Sequence, residues 1–230
     1  IKKIFLALGI FIMLIIASLF ILPVIFKDNI VQLVKDSANE NLNASVNFGD
    51  FDLSLIRSFP DFSFSISDVS VAGIGEFEGD TLVAIGNLSF TVDLMSVING
   101  DEIGIKTVLI DKLNAKAIVL KDGKANWDIA KETAEETEKE DTTATDTSAA
   151  PFKMKLKKFE IKNTNIVYDD RQGGMFAEIK DLNFTLSGDF TQDFTALKTK
   201  TSIAAITFAM DGINYLTKAK VEINADLDAD

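Results

Sequence analysis

From Val46 onward the chain is built of segments in which apolar side chains recur at every second position. Phe51, Leu53 and Leu55 alternate with Asp52 and Ser54, and Phe62, Phe64 and Ile66 alternate with Ser63, Ser65 and Ser67. Leu88, Phe90, Val92 and Leu94 alternate with Ser89, Thr91 and Asp93, and the pattern continues through Ile103, Ile105 and residues 108–119. Successive side chains of a β-strand point to opposite faces, so a period of two specifies half-buried strands. Each strand has one apolar and one polar face, which suits an antiparallel sheet with one solvated side. Turn signals separate the strands at Arg57-Ser58-Phe59-Pro60, Gly73-Ile74-Gly75, Asn99-Gly100-Asp101 and Asp122-Gly123-Lys124. Strands resume after Pro151: Phe152, Met154 and Leu156; Phe159 and Ile161; Ile166 and Tyr168; Leu182, Phe184 and Leu186; then residues 203–210 and 221–227.

Ahead of the strands lies a different kind of segment. Ile4 to Phe26 is a run of 23 residues without a charge. As a helix it would be about 34 Å long, against a hydrocarbon core of about 30 Å. A signal-peptide core is shorter, about 7–15 residues, and ends in a small-x-small cleavage site. Here the exit reads Phe20-Ile21-Leu22-Pro23-Val24-Ile25-Phe26, so an uncleaved transmembrane anchor is favoured over a cleaved signal. Lys2 and Lys3 before the run favour residues 1–3 in the cytoplasm and the remainder translocated.

The rest divides by pattern. Residues 27–45 carry Ile30, Leu33, Val34, Ala38 and Leu42 at helical spacing, with Asp28 as an N-cap, and predict one short amphipathic helix. Residues 46–130 form a first β block. Residues 131–150 hold no large apolar side chain, are acidic and Thr-rich, and read as a disordered linker or loop whose first part could extend a helix from Trp127 through Ala130. Residues 151–230 form a second β block, expected to be incomplete at 230. At about 4.8 Å per strand, 10–12 strands would make a sheet of about 50–60 Å.

The chain has no Cys and no His, which removes disulfides, thiolate zinc sites, Ser-His-Asp triads and imidazole acid–base chemistry. A net charge of −12 argues against nucleic acid and against flat adhesion to anionic lipid. The aromatic inventory is 18 Phe against 2 Tyr and 1 Trp, a set for apolar burial or apolar ligands. No metal and no cofactor is expected. Asp169, Asp170 and Arg171 before Gly173-Gly174 read as a solvated turn, and Gly123 as a positive-φ turn residue. Trp127 is expected to anchor a strand end onto the sheet rather than contact a membrane or partner.

A weak repeat relates Ile85-Gly86-Asn87-Leu88-Ser89-Phe90-Thr91 to Ile179-Lys180-Asp181-Leu182-Asn183-Phe184-Thr185. Each follows an earlier strand, at Ile66-Ser67-Asp68-Val69 and Ile161-Lys162-Asn163-Thr164, and Ile110-Asp111-Lys112-Leu113 before Lys121-Asp122-Gly123 echoes Ile161-Lys162-Asn163 before Asp169-Asp170-Arg171; the shared element reads as a strand pair with an Asn or Asp turn. The apolar faces have two readings, a closed core or a lipid-lined groove, which alternation alone does not separate. The groove candidates are Phe62, Phe64, Ile66, Leu88, Phe90, Val92, Ile179, Leu182 and Phe184.

The order of features resembles the N-terminal part of the AsmA family of bacterial envelope proteins. The features are one N-terminal span, Leu42-Asn43-Ala44-Ser45-Val46, Phe51-Asp52-Leu53-Ser54-Leu55 and Ser58-Phe59-Pro60-Asp61-Phe62. Then come Ser67-Asp68-Val69-Ser70-Val71, Lys121-Asp122-Gly123-Lys124-Ala125-Asn126-Trp127-Asp128, an acidic stretch, and Phe159 to Asp170. The resemblance implies a single-pass inner-membrane protein projecting into the periplasm, with an elongated, curved antiparallel sheet and an apolar groove, similar to bridge-like lipid-transfer proteins. It implies membrane phospholipid as partner, a non-enzymatic part in outer-membrane biogenesis, and no nucleic acid. A second class of function is a structural or assembly module that binds outer-membrane proteins through its sheet edges. A carboxylate enzyme would need paired carboxylates in a polar cleft, of which the alternation gives no sign.

Overall fold

The computed structural model describes residue 32 and residues 35–54, 60–99, 104–131, 156–188 and 195–229. Nine strands form one curved, mixed sheet. They are β1 (Ala44–Asn47), β2 (Phe51–Ser54), β3 (Phe62–Gly73), β4 (Thr81–Val92), β5 (Ile105–Val119), β6 (Lys158–Asp170), β7 (Met175–Ser187), β8 (Thr195–Met210) and β9 (Ile213–Ala229). From β3 to β9 the sheet follows chain order, and β1 and β2 lie end to end along the outer edge of β3. Helix among the described residues is limited to residue 32, residues 35–41 (α1), Leu94–Asn99 (α2) and a 3-10 turn at Gly75–Phe77. No described helix is long and apolar enough to cross a membrane. The anchor expected over residues 4–26 lies outside the described residues, as do residues 1–3 and 132–150 of the linker.

The sheet is not antiparallel throughout. β5 and β6 pair in parallel, from Thr107 opposite Lys158 to Val119 opposite Asp170. Alternation reports which face a side chain takes but not which way a strand runs, so the sequence pattern is blind to this pair. A parallel neighbour needs a connection that returns along the whole strand. Residues 120–157, which include the acidic stretch, supply that length. The sheet thus contains a three-stranded meander, β3–β5, and a four-stranded one, β6–β9. The repeat segments beginning at Ile85 and Ile179 lie in the second strands of the two, β4 and β7.

Two other local expectations change. Leu94 continues the alternation but opens α2 instead. Asp93 Oδ1 accepts hydrogen bonds from the amides of Met95 (2.9 Å) and Ser96 (3.4 Å), a helix N-cap that ends the strand at Val92. The segment after Trp127 is not helical over residues 128–131: Ala125 bridges Val119, and Ala130 bridges Leu42. Between these bridges Asn126, 2% exposed, stands in for a strand beside the end of β5. Its Oδ1 accepts from the Ile118 amide (2.8 Å), its Nδ2 donates to the Lys116 carbonyl (2.7 Å), and its own amide donates to the Ile118 carbonyl (3.0 Å).

The Asn and Asp of the repeat are not in turns. Asp68, Lys112, Asn163 and Asp181 lie in the middle of β3, β5, β6 and β7, each with φ between 50° and 57°. A left-handed backbone costs a non-glycine residue about 1–2 kcal/mol, least for Asn and Asp. At each, successive residues on the apolar face are three apart instead of two, and between β3, β4 and β5 both partners take the step together so that the register is kept. Ile66 pairs with Leu88 and Val69 with Ile85; Leu88 pairs with Ile110 and Ile85 with Leu113. β6 steps from Ile161 to Thr164, β7 from Leu182 to Ile179, and β8 from Ile203 to Ile206. These bulges are contiguous from strand to strand and form a crease across the sheet. Bulges bend and twist the strands that carry them. The crease also divides the outer edge into β1 and β2, because Gly49 and Asp50 bond to Ser67 at that level.

Along β1 that outer edge is covered. Asn39 of α1 accepts from the Val46 amide (2.8 Å) and donates to the Val46 carbonyl (3.0 Å), occupying the free side of β1. Lys131 Nζ donates to the carbonyls of Asn39 (3.0 Å) and Glu40 (2.7 Å), capping the C-terminal end of the helix. At the lower ends of β3 to β5, Lys106 Nζ lies 2.7 Å from Asp61 and 3.3 Å from Asp93. Burial alone would raise the Asp93 carboxyl, but the Lys106 hydrogen bond and charge and the Met95 and Ser96 amides outweigh it and hold it below its ordinary value. Burial would lower the Lys106 ammonium, and the two carboxylates raise it instead.

Two outcomes follow. Asn126→Ala strands two backbone groups of β5 and is expected to lower stability by roughly 2–4 kcal/mol in urea unfolding, with loss of exchange protection at Ile118. A depressed carboxyl stabilises the fold fully above its unfolded value and loses that contribution as pH falls through the lower folded value. A raised ammonium contributes below its unfolded value and loses it as pH rises through the folded one. Lys106→Met is therefore expected to cost about 1 kcal/mol at neutral pH and to flatten the stability loss that sets in as pH falls below about 4. Urea titrations at each pH measure both.

Candidate functional site

Paired residues of neighbouring strands share a face, so the register assigns each candidate its side. Phe62 pairs with Val92, Phe64 with Phe90, and Ile66 with Leu88. Leu88 pairs with Ile110, Ile110 with Ile161, and Ile161 with Phe184, which carries the Ile66 row across β3 to β7 on one face. Beyond the crease, Leu182 pairs with Thr164 and Ile179 with Ile166 on that same face. All nine candidates therefore lie on one side of one sheet. The extra residue at each crease position is what keeps Ile179 beside Leu182 and Phe184; a regular strand would send it to the other face.

Among the described residues the face carries no second layer. Each of the nine is half-buried, and the main contacts between elements run between sheet neighbours and from β3 to the 3-10 turn. Buried apolar residues among the described ones are Ala44, Ile118, Val119 and Leu156, none of them on these rows. Ring contacts tie the face together: Phe51 to Phe64 at 4.9 Å, Phe64 to Phe90 at 6.4 Å and Phe159 to Phe184 at 6.2 Å. Phe51, Ile110, Phe159 and Ile161 thus join the candidate set, and period-two alternation around each was the signal that could have included them. Thr164, fully buried, donates from its hydroxyl to the Lys162 carbonyl (3.3 Å) at the crease.

The opposite face is polar. Ser65 pairs with Ser89 and Glu160 with Thr185, while Lys158 (2.9 Å) and Lys162 (3.4 Å) flank Glu160. Burial would raise the Glu160 carboxyl; the hydrogen bonds and charges of the two lysines pull it below its ordinary value. At the crease the polar face carries a connected set of side chains. Asn183 Oδ1 accepts from the Asn163 amide (3.0 Å), and Asn165 Oδ1 accepts from the Asp181 amide (3.2 Å). Asn163 Nδ2 donates to Asp111 (2.7 Å), Asn165 Nδ2 to Asn114 (2.9 Å), and Asn183 Nδ2 to Asp181 Oδ1 (3.0 Å).

At the rim, Trp127 stacks on Tyr168 with ring centres 6.1 Å apart while remaining 41% exposed, so it does anchor the segment after β5 onto the sheet. A cavity of about 300 Å³ lies beside it, walled by Ile74, Phe77, Ala125 and Ile129 with Asn43 and Asp128. Gly123 has φ 88° in its turn, as expected. The carboxylates of the β6–β7 turn are engaged locally: Asp169 accepts from Arg171 (2.9 Å), and Asp170 from the amides of Gln172 (3.0 Å) and Gly173 (2.7 Å). The chemistry such an arrangement offers is the exclusion of water from an apolar chain laid across the strands, because the rows named above carry no charged residue.

No curated protein matches the chain. A family model described as the AsmA family matches residues 1–230.

Proposed function

The chain belongs to the AsmA family, and on that premise we propose that it is a non-enzymatic envelope protein that holds or transfers phospholipid acyl chains along its apolar face. The observation that carries this reading is a continuous apolar face, from Phe62 on β3 to Phe184 on β7, with no second layer on it among the described residues. A sheet of this extent must shield that surface from water, and acyl chains do so at about 0.8 kcal/mol per buried methylene. Head groups stay at the rim, where polar residues and water are available. The charge-free run at residues 4–26 supports a single pass through the inner membrane, N-terminus in the cytoplasm and the bulk of the chain in the periplasm, serving outer-membrane biogenesis.

A second reading, an assembly module for outer-membrane proteins, draws on β9. This strand has no neighbour on its outer side among the described residues, and it exposes Ile213 (58%), Tyr215 (60%), Ile223 (52%) and Leu227 (50%). Such an edge accepts a further strand through backbone hydrogen bonds.

Native mass spectrometry of the full chain extracted from bacterial membranes is expected to show bound phospholipid, and consistently lipid-free protein overturns the groove. Phe90→Asp with Phe184→Asp is expected to lower lipid occupancy about tenfold or more, since each places a carboxylate where tails would lie. Unchanged occupancy in a folded double variant contradicts it. A photo-crosslinker at Tyr215 or Ile223 separates the two readings: protein adducts on lipid-free chain favour the assembly module.

A further inference from the structure

The crease raises a question that the apolar face alone does not answer. Long strands alternate faces strictly, so an extra residue in one strand alone would break its pairing with both neighbours. Here the extra residue appears at one level in β3, β4, β5, β6, β7 and β8, including strands without a left-handed residue, where Gly86-Asn87 and Ala204-Ala205 take the step. Gly86 permits this because a Cβ there would stand 3.0 Å from the Lys112 Cβ. What holds the extra residue at that level, rather than letting it slide along the strand, must lie in side chains specific to the crease.

We infer that Asn165 and Asn183 are the positioning residues of the crease, and through it decide on which face the upper halves of β6 and β7 present their apolar side chains. A left-handed residue turns its amide out of the ladder, and that amide needs an acceptor. In β6 the displaced amide is that of Asn163, and the acceptor is Asn183 on β7, at 3.0 Å. In β7 it is that of Asp181, and the acceptor is Asn165 on β6, at 3.2 Å. Each strand thus supplies the acceptor for the other's bulge. Two further bonds orient these acceptors: Asn165 Nδ2 to Asn114, and Asn183 Nδ2 to Asp181.

The consequence lies on the opposite side of the sheet. Above the crease Ile166 pairs with Ile179 and Tyr168 with Ala177, on the face that also holds Ile161 and Phe184. If the extra residue migrates along either strand, the residues between its old and new positions change face, and Thr164–Leu182 and then Ile166–Ile179 are the pairs nearest the step. The polar back of the sheet therefore sets the continuity of the apolar front. This holds whether or not that front carries lipid.

The test needs no ligand. Cysteine is absent from the chain, so paired Cys substitutions report register cleanly. Ile166→Cys with Ile179→Cys lies above the crease, and Phe159→Cys with Leu186→Cys lies below it. In the full chain both pairs are expected to cross-link on mild oxidation. Adding Asn165→Ala and Asn183→Ala is expected to reduce cross-linking at 166/179 about fivefold or more and to leave 159/186 unchanged, while the Asn163 and Asp181 amides exchange about tenfold faster or more. Asn165→Asp, which keeps an acceptor for the Asp181 amide, is expected to retain both the 166/179 link and that protection. Should the double alanine variant fail to fold, each single variant is read in the same way. Cross-linking at 166/179 and amide protection that match the parent in a folded alanine variant overturn the assignment.

Discussion

Everything in this sheet depends on keeping face identity across an interruption. Strands of 12 to 17 residues run from β3 to β9, long enough for twist to carry them away from a flat plane. A crease at one level lets them bend, but a one-residue step in a period-two element reverses every side chain beyond it. The conflict disappears when neighbouring strands all take the step and the pattern of apolar residues is written with the step already in it. Ile66 to Val69, Ile110 to Leu113 and Ile161 to Thr164 are spaced by three for that reason. Without that spacing the apolar face would end at the crease, and Ile179 would face the same side as Lys162 and Glu160.

The energetics are those of an uncovered layer. Four apolar residues are buried among those described, while the apolar rows stay half-buried, so ladder hydrogen bonds and cross-strand contacts between neighbours supply much of the order. Polar side chains complete the ladder where it stops. Asn126 replaces a missing strand beside β5, Asn39 occupies the free side of β1, and Asn165 and Asn183 serve the crease. Asparagine suits these places because its side chain carries both a donor and an acceptor and so imitates a peptide group.

Much of this was legible in the residues. Alternation located the strands and gave Phe62, Phe64 and Ile66 one face of β3 and Leu88, Phe90 and Val92 one face of β4, because it records the environment of each side chain directly, whereas Ile179 shares the face of Leu182 and Phe184 only through the step at the crease. The parallel pairing of β5 and β6 was not legible, since Thr107 to Val119 would alternate identically in either direction; the length of the acidic connection was the sole hint. α2 was hidden because Leu94 fits the strand pattern, although Asp93 carried a capping signal. The repeated Ile-x-Asp and Ile-x-Asn segments were visible but suggested turns, since those residues favour turns and tolerate left-handed backbone for the same reason. Only the pairing of Ile66 with Leu88 and Val69 with Ile85 distinguishes a turn from a mid-strand bulge.

The covered edge at β1 gives the sheet a direction. Asn39 takes both backbone groups of Val46, and Lys131 fixes the end of the helix that carries Asn39. A strand arriving at β1 would have to displace them, whereas β9 has no neighbour on its outer side among the described residues. Growth of the sheet is therefore one-sided: strands can be appended without disturbing the end that carries α1. The length of the sheet and the build of its covered end become independent variables, so a lineage could lengthen or shorten the one without rebuilding the other.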